Sequence, residues 1–107
     1  MDAKELSWGL EVETEAPIAL VQSGELQIGP RHRGIQVPYL PPGWKAEHDC
    51  SIQPANGYVD CEIVSPILRG PEGLEQVVEV LRILESKGFR ANGSCGVHYA
   101  ECVIMRS

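Results

Sequence analysis

The fold of this chain is decided by residues 57–71, which read Gly-Tyr-Val-Asp-Cys-Glu-Ile-Val-Ser-Pro-Ile-Leu-Arg-Gly-Pro. Side chains at successive positions of 58–65 alternate between two sets, as they do in a β-strand with one buried face. A proline then interrupts the strand, and Pro71 suits the first turn of a helix, where no backbone N–H is needed. The stretch therefore predicts a strand with Asp60 and Glu62 on one face, followed by a helix.

The sequence after this strand has the spacing of a single amphipathic helix at about 71–88. Large apolar residues recur on one side of it, and we expect this stripe to pack against the sheet. The stripe consists of Leu74, Val77, Val78, Leu81 and Leu84.

Two segments before residue 57 also alternate. In 6–15 the apolar residues take one face, while Glu11, Glu13 and Glu15 take the other. The second segment, 44–52, places Asp49 on its polar face, and the Asn-Gly dipeptide before the 57–71 stretch predicts a hairpin between the two strands.

The remaining segments are an excursion and a last strand. Residues 18–21 and 25–28 are expected to form short strands within an irregular region, and 97–105 alternates as a strand. This order predicts one α+β domain over 1–107, with a mostly antiparallel sheet of four to five strands and one helix packed on one face.

The net charge and composition of the chain limit the classes of function that we expect. The chain has 107 residues and a formal net charge of −6, from 15 acidic and 9 basic side chains. This balance disfavours direct nucleic-acid binding, which depends on cationic contacts to phosphates. No apolar run has transmembrane length, and no secretion signal or Cys-x-x-Cys pattern is present, so we expect a cytoplasmic protein with reduced, mostly buried thiols and no membrane partner.

With the strands in these phases, one face of the sheet gathers five carboxylates. They are Glu11, Glu13, Asp49, Asp60 and Glu62. Like charges on neighbouring strands destabilise a sheet, so we expect a cationic partner to bind this acidic face. The partner could be a hard metal ion such as Mg²⁺, which prefers oxygen ligands, or a basic protein surface. The alternative is an ordinary solvated face that only keeps the protein soluble.

Cationic candidates are few and carry no motif. The triplet Arg31-His32-Arg33 is typical of a solvated loop. Arg69 and Lys45 are the other candidates for contact with an anion, and the common glycine-rich nucleotide loops are absent.

Four ordered motifs resemble the amidoligase family of glutamine synthetase-like carboxylate–amine ligases. They are Trp8-Gly9-Leu10-Glu11-Val12-Glu13, Trp44 with Asp49-Cys50-Ser51, Cys61-Glu62-Ile63-Val64-Ser65-Pro66, and Asn92-Gly93-Ser94-Cys95-Gly96-Val97-His98. The resemblance covers most of the chain and corresponds to the N-terminal half of the family's catalytic domain.

The resemblance implies a truncated glutamine synthetase-like fold and an enzyme that uses ATP and Mg²⁺ to join an amine to a carboxylate through an acyl-phosphate. In that reading Glu11, Glu13 and Glu62 bind metal and nucleotide phosphates, and His98 acts with Glu62 at the catalytic centre. Two departures are present: Ala100 stands where the family has a second histidine, and the chain stops at Ser107 soon after the last motif.

Two hypotheses follow from this resemblance. In the first, a shortened and inactive amidoligase-like domain needs no cofactor and acts as an acidic inhibitor. It binds a basic protein surface, such as a host protein's nucleic-acid-binding groove, as phage or mobile-element anti-CRISPR proteins do. In the second, the domain is a Mg–ATP-dependent ligase whose site is completed by a homodimer or a partner chain.

Overall fold

A computed structural model describes residues 6–92 and 100–106 of the chain. The strands are β1 (Leu6–Pro17), β2 (Ile35–Gln36), β3 (Lys45–Glu47), β4 (Tyr58–Val64), β5 (Leu68–Arg69) and β6 (Ala100–Arg106). The helices are α1 (Ile18–Gln22) and α2 (Gly70–Ser86). All strand pairs are antiparallel, which confirms the predicted α+β class with one main helix.

Strand β1 is the centre of the sheet. Along one edge it pairs with β4, in a register that includes Glu13 opposite Glu62, and with β5. Strand β6 pairs with positions 6–12 of β1, a stretch that overlaps both other pairings, so β6 must lie along the opposite edge. Beyond β4 the sheet continues through β3 to β2.

The core lies between the sheet and α2. Trp44, Ile63 and Val80 are fully buried within one cluster of apolar side chains. The indole Nε1 of Trp44 also donates a hydrogen bond to Oε1 of Gln76 at 2.6 Å, which joins the sheet to the helix. A buried indole needs such a partner because an unpaired N–H costs free energy.

The buried side of α2 differs from the predicted stripe. Val80 and Leu84 are buried, but Leu74 and Val78 are 61% and 49% exposed. The physical reason is Gly73, where a Cβ atom would stand 3.1 Å from the Trp8 ring. Gly73 lets α2 approach the sheet closely. The side of the helix that carries Gly73 is therefore buried, and the neighbouring Leu74 is exposed.

The excursion after β1 also differs from prediction. Residues 18–21 belong to the short helix α1 and not to a strand, and 25–28 lie outside every strand. The helical turn is closed by a hydrogen bond from Ser23 N to Ala19 O at 2.9 Å. A four-residue apolar run is too short for its periodicity to separate helix from strand.

The predicted strand 44–52 is shorter than expected. It pairs with β4 as predicted, but only over Lys45–Glu47, and 48–57 forms a longer connection than a tight hairpin. His48 and Cys50 are therefore exposed, whereas Cys61 is buried as expected for a reduced thiol. Among the described residues no helix is both long and apolar enough to cross a membrane.

Candidate metal centre

Three neighbouring strands present glutamates in one row across the sheet. Glu13 of β1 is opposite Glu62 of β4, and Glu62 is opposite Glu47 of β3. Residues directly opposite in an antiparallel pair project from the same face of the sheet. The row therefore concentrates negative charge, and Glu47 and Glu62 are buried within it.

Asp49 joins this row from the turn after β3. Its backbone N–H donates to Oδ2 of Asp60 at 3.0 Å, and its own Oδ1 accepts from Ser51 N at 2.9 Å and from Ser51 Oγ at 2.6 Å. These bonds fix the turn, and one carboxylate oxygen each of Glu13, Asp49 and Glu62 lies within 4.8 Å of the others. Three segments of the chain thus converge on one point.

A cavity of about 240 Å³ opens over the carboxylates. Glu11, Glu47 and the three converging side chains line it. Arg31 and His32 line it as well, so basic and acidic side chains share this cavity. The sheet face is a recess of mixed charge.

The Glu62 carboxylate lies among other acidic side chains. Burial, followed by the charges of Glu11 and Asp49, raises the pKa of Glu62 to about 8. Glu11 also shares a side-chain hydrogen bond with Glu62, and this bond favours the protonated form of Glu62. Near neutral pH the recess therefore holds a proton at a position that a cation could take.

Not every predicted site residue belongs to this recess. Glu11, Glu13, Asp49 and Glu62 line it, but Asp60 does not. Instead, Asp60 bonds to Asp49 N and to His48 Nδ1, the latter at 3.1 Å. His98 lies outside the described residues.

Sequence reasoning missed two contributors. Glu47 is not among the predicted site residues, although strand alternation puts it on the same face of 44–52 as Asp49. The Arg31–Arg33 segment reaches the site because Gly29 N donates to Ala46 O at 3.0 Å and His48 N donates to Gly29 O at 2.9 Å. No local sequence pattern predicts this long-range pairing.

Glu15, expected beside Glu11 and Glu13 on the polar face, has a different role. It is fully buried, and its carboxylate accepts hydrogen bonds from Ala55 N at 3.1 Å, Arg90 Nε at 3.2 Å and Asn92 Nδ2 at 2.8 Å. Although burial opposes ionisation, these hydrogen bonds and the Arg90 charge hold the pKa of Glu15 below its ordinary value. Glu15 therefore ties β1 to two loops and is not a ligand of the recess.

Comparison with known proteins gives one match. No curated protein and no solved structure shows significant similarity to the chain. A family model described as "Putative amidoligase enzyme" matches residues 5–99, a span that contains the whole row of glutamates described above. The chain belongs to this amidoligase family.

Proposed function

We propose that this domain binds Mg²⁺ together with ATP at the carboxylate recess and contributes this site to a carboxylate–amine ligase reaction. The observation that carries the proposal is the convergence of Glu13, Asp49 and Glu62 within 4.8 Å. Membership of the amidoligase family supplies the reaction class, in which an amine is joined to a carboxylate.

The donor set suits magnesium. All three converging side chains offer carboxylate oxygens, and Mg²⁺ binds oxygen ligands at about 2.0–2.1 Å. Around an octahedral ion, opposite ligands therefore stand about 4.2 Å apart and adjacent ligands about 2.9 Å apart, so the three side chains would close around the ion as it binds. Thiolate and imidazole ligands, which zinc prefers, do not take part in the converging set.

Each carboxylate has a role in this proposal. Glu13, Asp49 and Glu62 hold the ion, while Glu11 and Glu47 add negative charge at the rim of the site. When bound, the ion draws negative charge from phosphate oxygens and orients the phosphates. The resemblance described above adds His98 as a further catalytic residue with Glu62, and this assignment stays part of the proposal.

Calorimetric titration of the whole chain with Mg–ATP tests the proposal. We expect measurable binding by the wild type and its loss in Glu11→Ala and Glu62→Ala. Glu79→Ala is the matched control, because Glu79 is an exposed glutamate of α2, away from the recess. Absence of binding by the wild type at millimolar Mg–ATP would contradict the proposal.

A second candidate function is binding to a basic protein surface without catalysis, as an acidic inhibitor of the anti-CRISPR kind. The net charge of −6 favours it. Such binding would weaken strongly as salt is raised, because exposed charges are screened. Capture of a basic host protein that is unaffected by high salt, or by Glu11→Ala with Glu13→Ala, would contradict it.

We also propose that the chain self-associates as a homodimer under either candidate function. Among the described strands none pairs with the outer edge of β6, and exposed edges favour pairing with another chain. Sedimentation across a range of concentrations tests the homodimer, and a constant monomer mass would contradict it.

A further inference from the structure

A second cavity, of about 480 Å³, adjoins the carboxylate recess. Glu11, His32 and Glu47 line both cavities, so the two share a common wall. The second cavity is also lined by Arg33 and Lys45, which the first is not. Cationic side chains therefore stand directly beside the row of acids.

The loop that carries Arg31 and Arg33 is fixed against the sheet at its base. Gly29 makes backbone hydrogen bonds to Ala46 O and from His48 N, the two residues that flank Glu47, and Arg33 N donates to Pro30 O at 2.9 Å. A Cβ atom on Gly29 would stand 2.1 Å from Arg33 O, so only glycine permits this close turn. His32, which lies between Arg31 and Arg33, has a backbone φ of 67°, a value that is uncommon for a residue other than glycine. The backbone conformation of this loop is therefore fixed by its contacts with β3 and by its own hydrogen bonds.

Within the described residues, the three cationic side chains, Arg31, Arg33 and Lys45, are not ion-paired to the acids. All three side chains are exposed, while Glu47 and Glu62 beside them are buried. The recess therefore keeps two separate sets of opposite charge, one able to hold a metal cation and the other an anion.

We propose that Arg31, Arg33 and Lys45 form an anion subsite that binds the phosphate chain of a nucleotide triphosphate next to the carboxylate recess. A metal-bound polyphosphate carries both charges that this arrangement matches. Arginine suits the role because its planar guanidinium makes paired hydrogen bonds to phosphate oxygens. This inference rests on the proposed function, since the metal lies among Glu13, Asp49 and Glu62.

Two separate binding measurements test the subsite on the whole chain. Mn²⁺ alone, followed by its electron paramagnetic resonance signal, reports the carboxylates, and calorimetry with Mg–ATP or Mg–tripolyphosphate reports the anion subsite. We expect the double variant Arg31→Gln/Arg33→Gln to weaken binding of both polyphosphates at least tenfold and to change Mn²⁺ affinity less than twofold. Lys45→Gln should weaken both polyphosphates in the same direction.

Matched variants separate a local effect from a general one. Arg82→Gln removes an exposed arginine of α2 and should change neither measurement. Arg33→Lys keeps the charge but not the paired donors, so it should bind more weakly than the wild type and more tightly than Arg33→Gln. Thermal unfolding confirms that each variant is folded.

The outcomes distinguish this subsite from the proposed function. Unchanged polyphosphate affinity in the double arginine variant overturns the subsite. A wild type that binds Mn²⁺ but neither polyphosphate overturns both the subsite and the proposed Mg–ATP binding, and it leaves only the metal centre. A wild type that binds adenosine as tightly as ATP overturns the subsite too, because the phosphates would then contribute nothing, and failure to bind either metal or nucleotide overturns both proposals.

Discussion

Glu13 of β1 and Glu62 of β4 lie directly opposite each other in the antiparallel sheet, and Glu47 flanks Glu62 on its other side. Like charges in this position oppose folding. Three glutamates on neighbouring strands therefore lower the stability of this part of the sheet. Such local destabilisation is common at ligand-binding sites. The predictions that follow separate the stability effect from the binding effect.

Replacement of Glu62 by glutamine should stabilise the metal-free protein. The pKa of Glu62, about 8 in the folded state against an ordinary 4.5, means that its contribution to stability is complete below pH 4.5 and is lost as the pH rises through 8. Glu62→Gln escapes this loss, so its advantage in the free energy of unfolding should grow with pH by roughly 1–5 kcal/mol between pH 5 and pH 9, the upper value being the whole pKa difference at ~1.4 kcal/mol per unit. Urea unfolding at pH 5, 7 and 9 with a chelator present measures this, with Glu79→Gln as control. A wild type and variant that keep the same difference at all three values would contradict it.

Divalent cations should stabilise the wild type more at pH 8 than at pH 6. At the lower pH a proton occupies Glu62, and a metal must displace it, so binding releases protons. Glu13→Gln should weaken Mn²⁺ binding by at least about tenfold, which corresponds to ~1.4 kcal/mol. Melting temperatures with and without Mn²⁺ at both pH values provide the measurement. Equal stabilisation at the two values would argue against Glu62 as a ligand.

Glu15 should be the acidic side chain whose loss costs the most stability. Its removal takes away the acceptor of the Ala55 N–H and the ion-pair partner of Arg90, and we expect Glu15→Ala to cost about 2–4 kcal/mol. Because the pKa of Glu15 is lowered, its contribution is present above its unfolded pKa and is lost as the pH falls through the folded value. The wild type should therefore lose stability on acidification more steeply than the variant. Chemical unfolding between pH 3 and 7 tests this, and a cost as small as that of Glu79→Ala would contradict it.

The hydrogen bond between Trp44 and Gln76 should hold α2 in register on the sheet. Gln76→Ala removes the acceptor of a buried indole N–H and should cost about 1–2 kcal/mol. Trp44→Ala also leaves a large cavity and should cost about 3–5 kcal/mol or prevent folding. Near-ultraviolet circular dichroism and thermal unfolding report both effects. A neutral Gln76→Ala would show that the contact does not order the helix.

The strands and the main helix could be predicted wherever alternation extended over enough residues, as in β1 and β4. Strand phase alone also gathered Glu11, Glu13 and Glu62. The prediction failed where tertiary contacts override local pattern. Asp49 reaches the recess through a turn and not through a strand, and the side of α2 that is buried depends on how closely Gly73 approaches Trp8.

The cationic loop lay beyond such reasoning for a different reason. Nothing in Arg31-His32-Arg33 indicates that Gly29 forms a bridge beside Glu47 at the edge of β3, since that contact joins segments that are not adjacent in the sequence. Glu15 is similar, because its partners come from two later loops. Long-range backbone pairing is what converts a polar stretch into part of a site.

The pairing of β1 with β6 has a consequence for how the chain folds. One of the two edges of β1 is paired by β6, which is made last among the described segments. Closing so large a loop is entropically costly, and folding rates fall as contacts become more distant in sequence. During synthesis on a ribosome, one long edge of β1 therefore stays unpaired until β6 has been made, and we expect the nascent protein to depend most on chaperones during that interval.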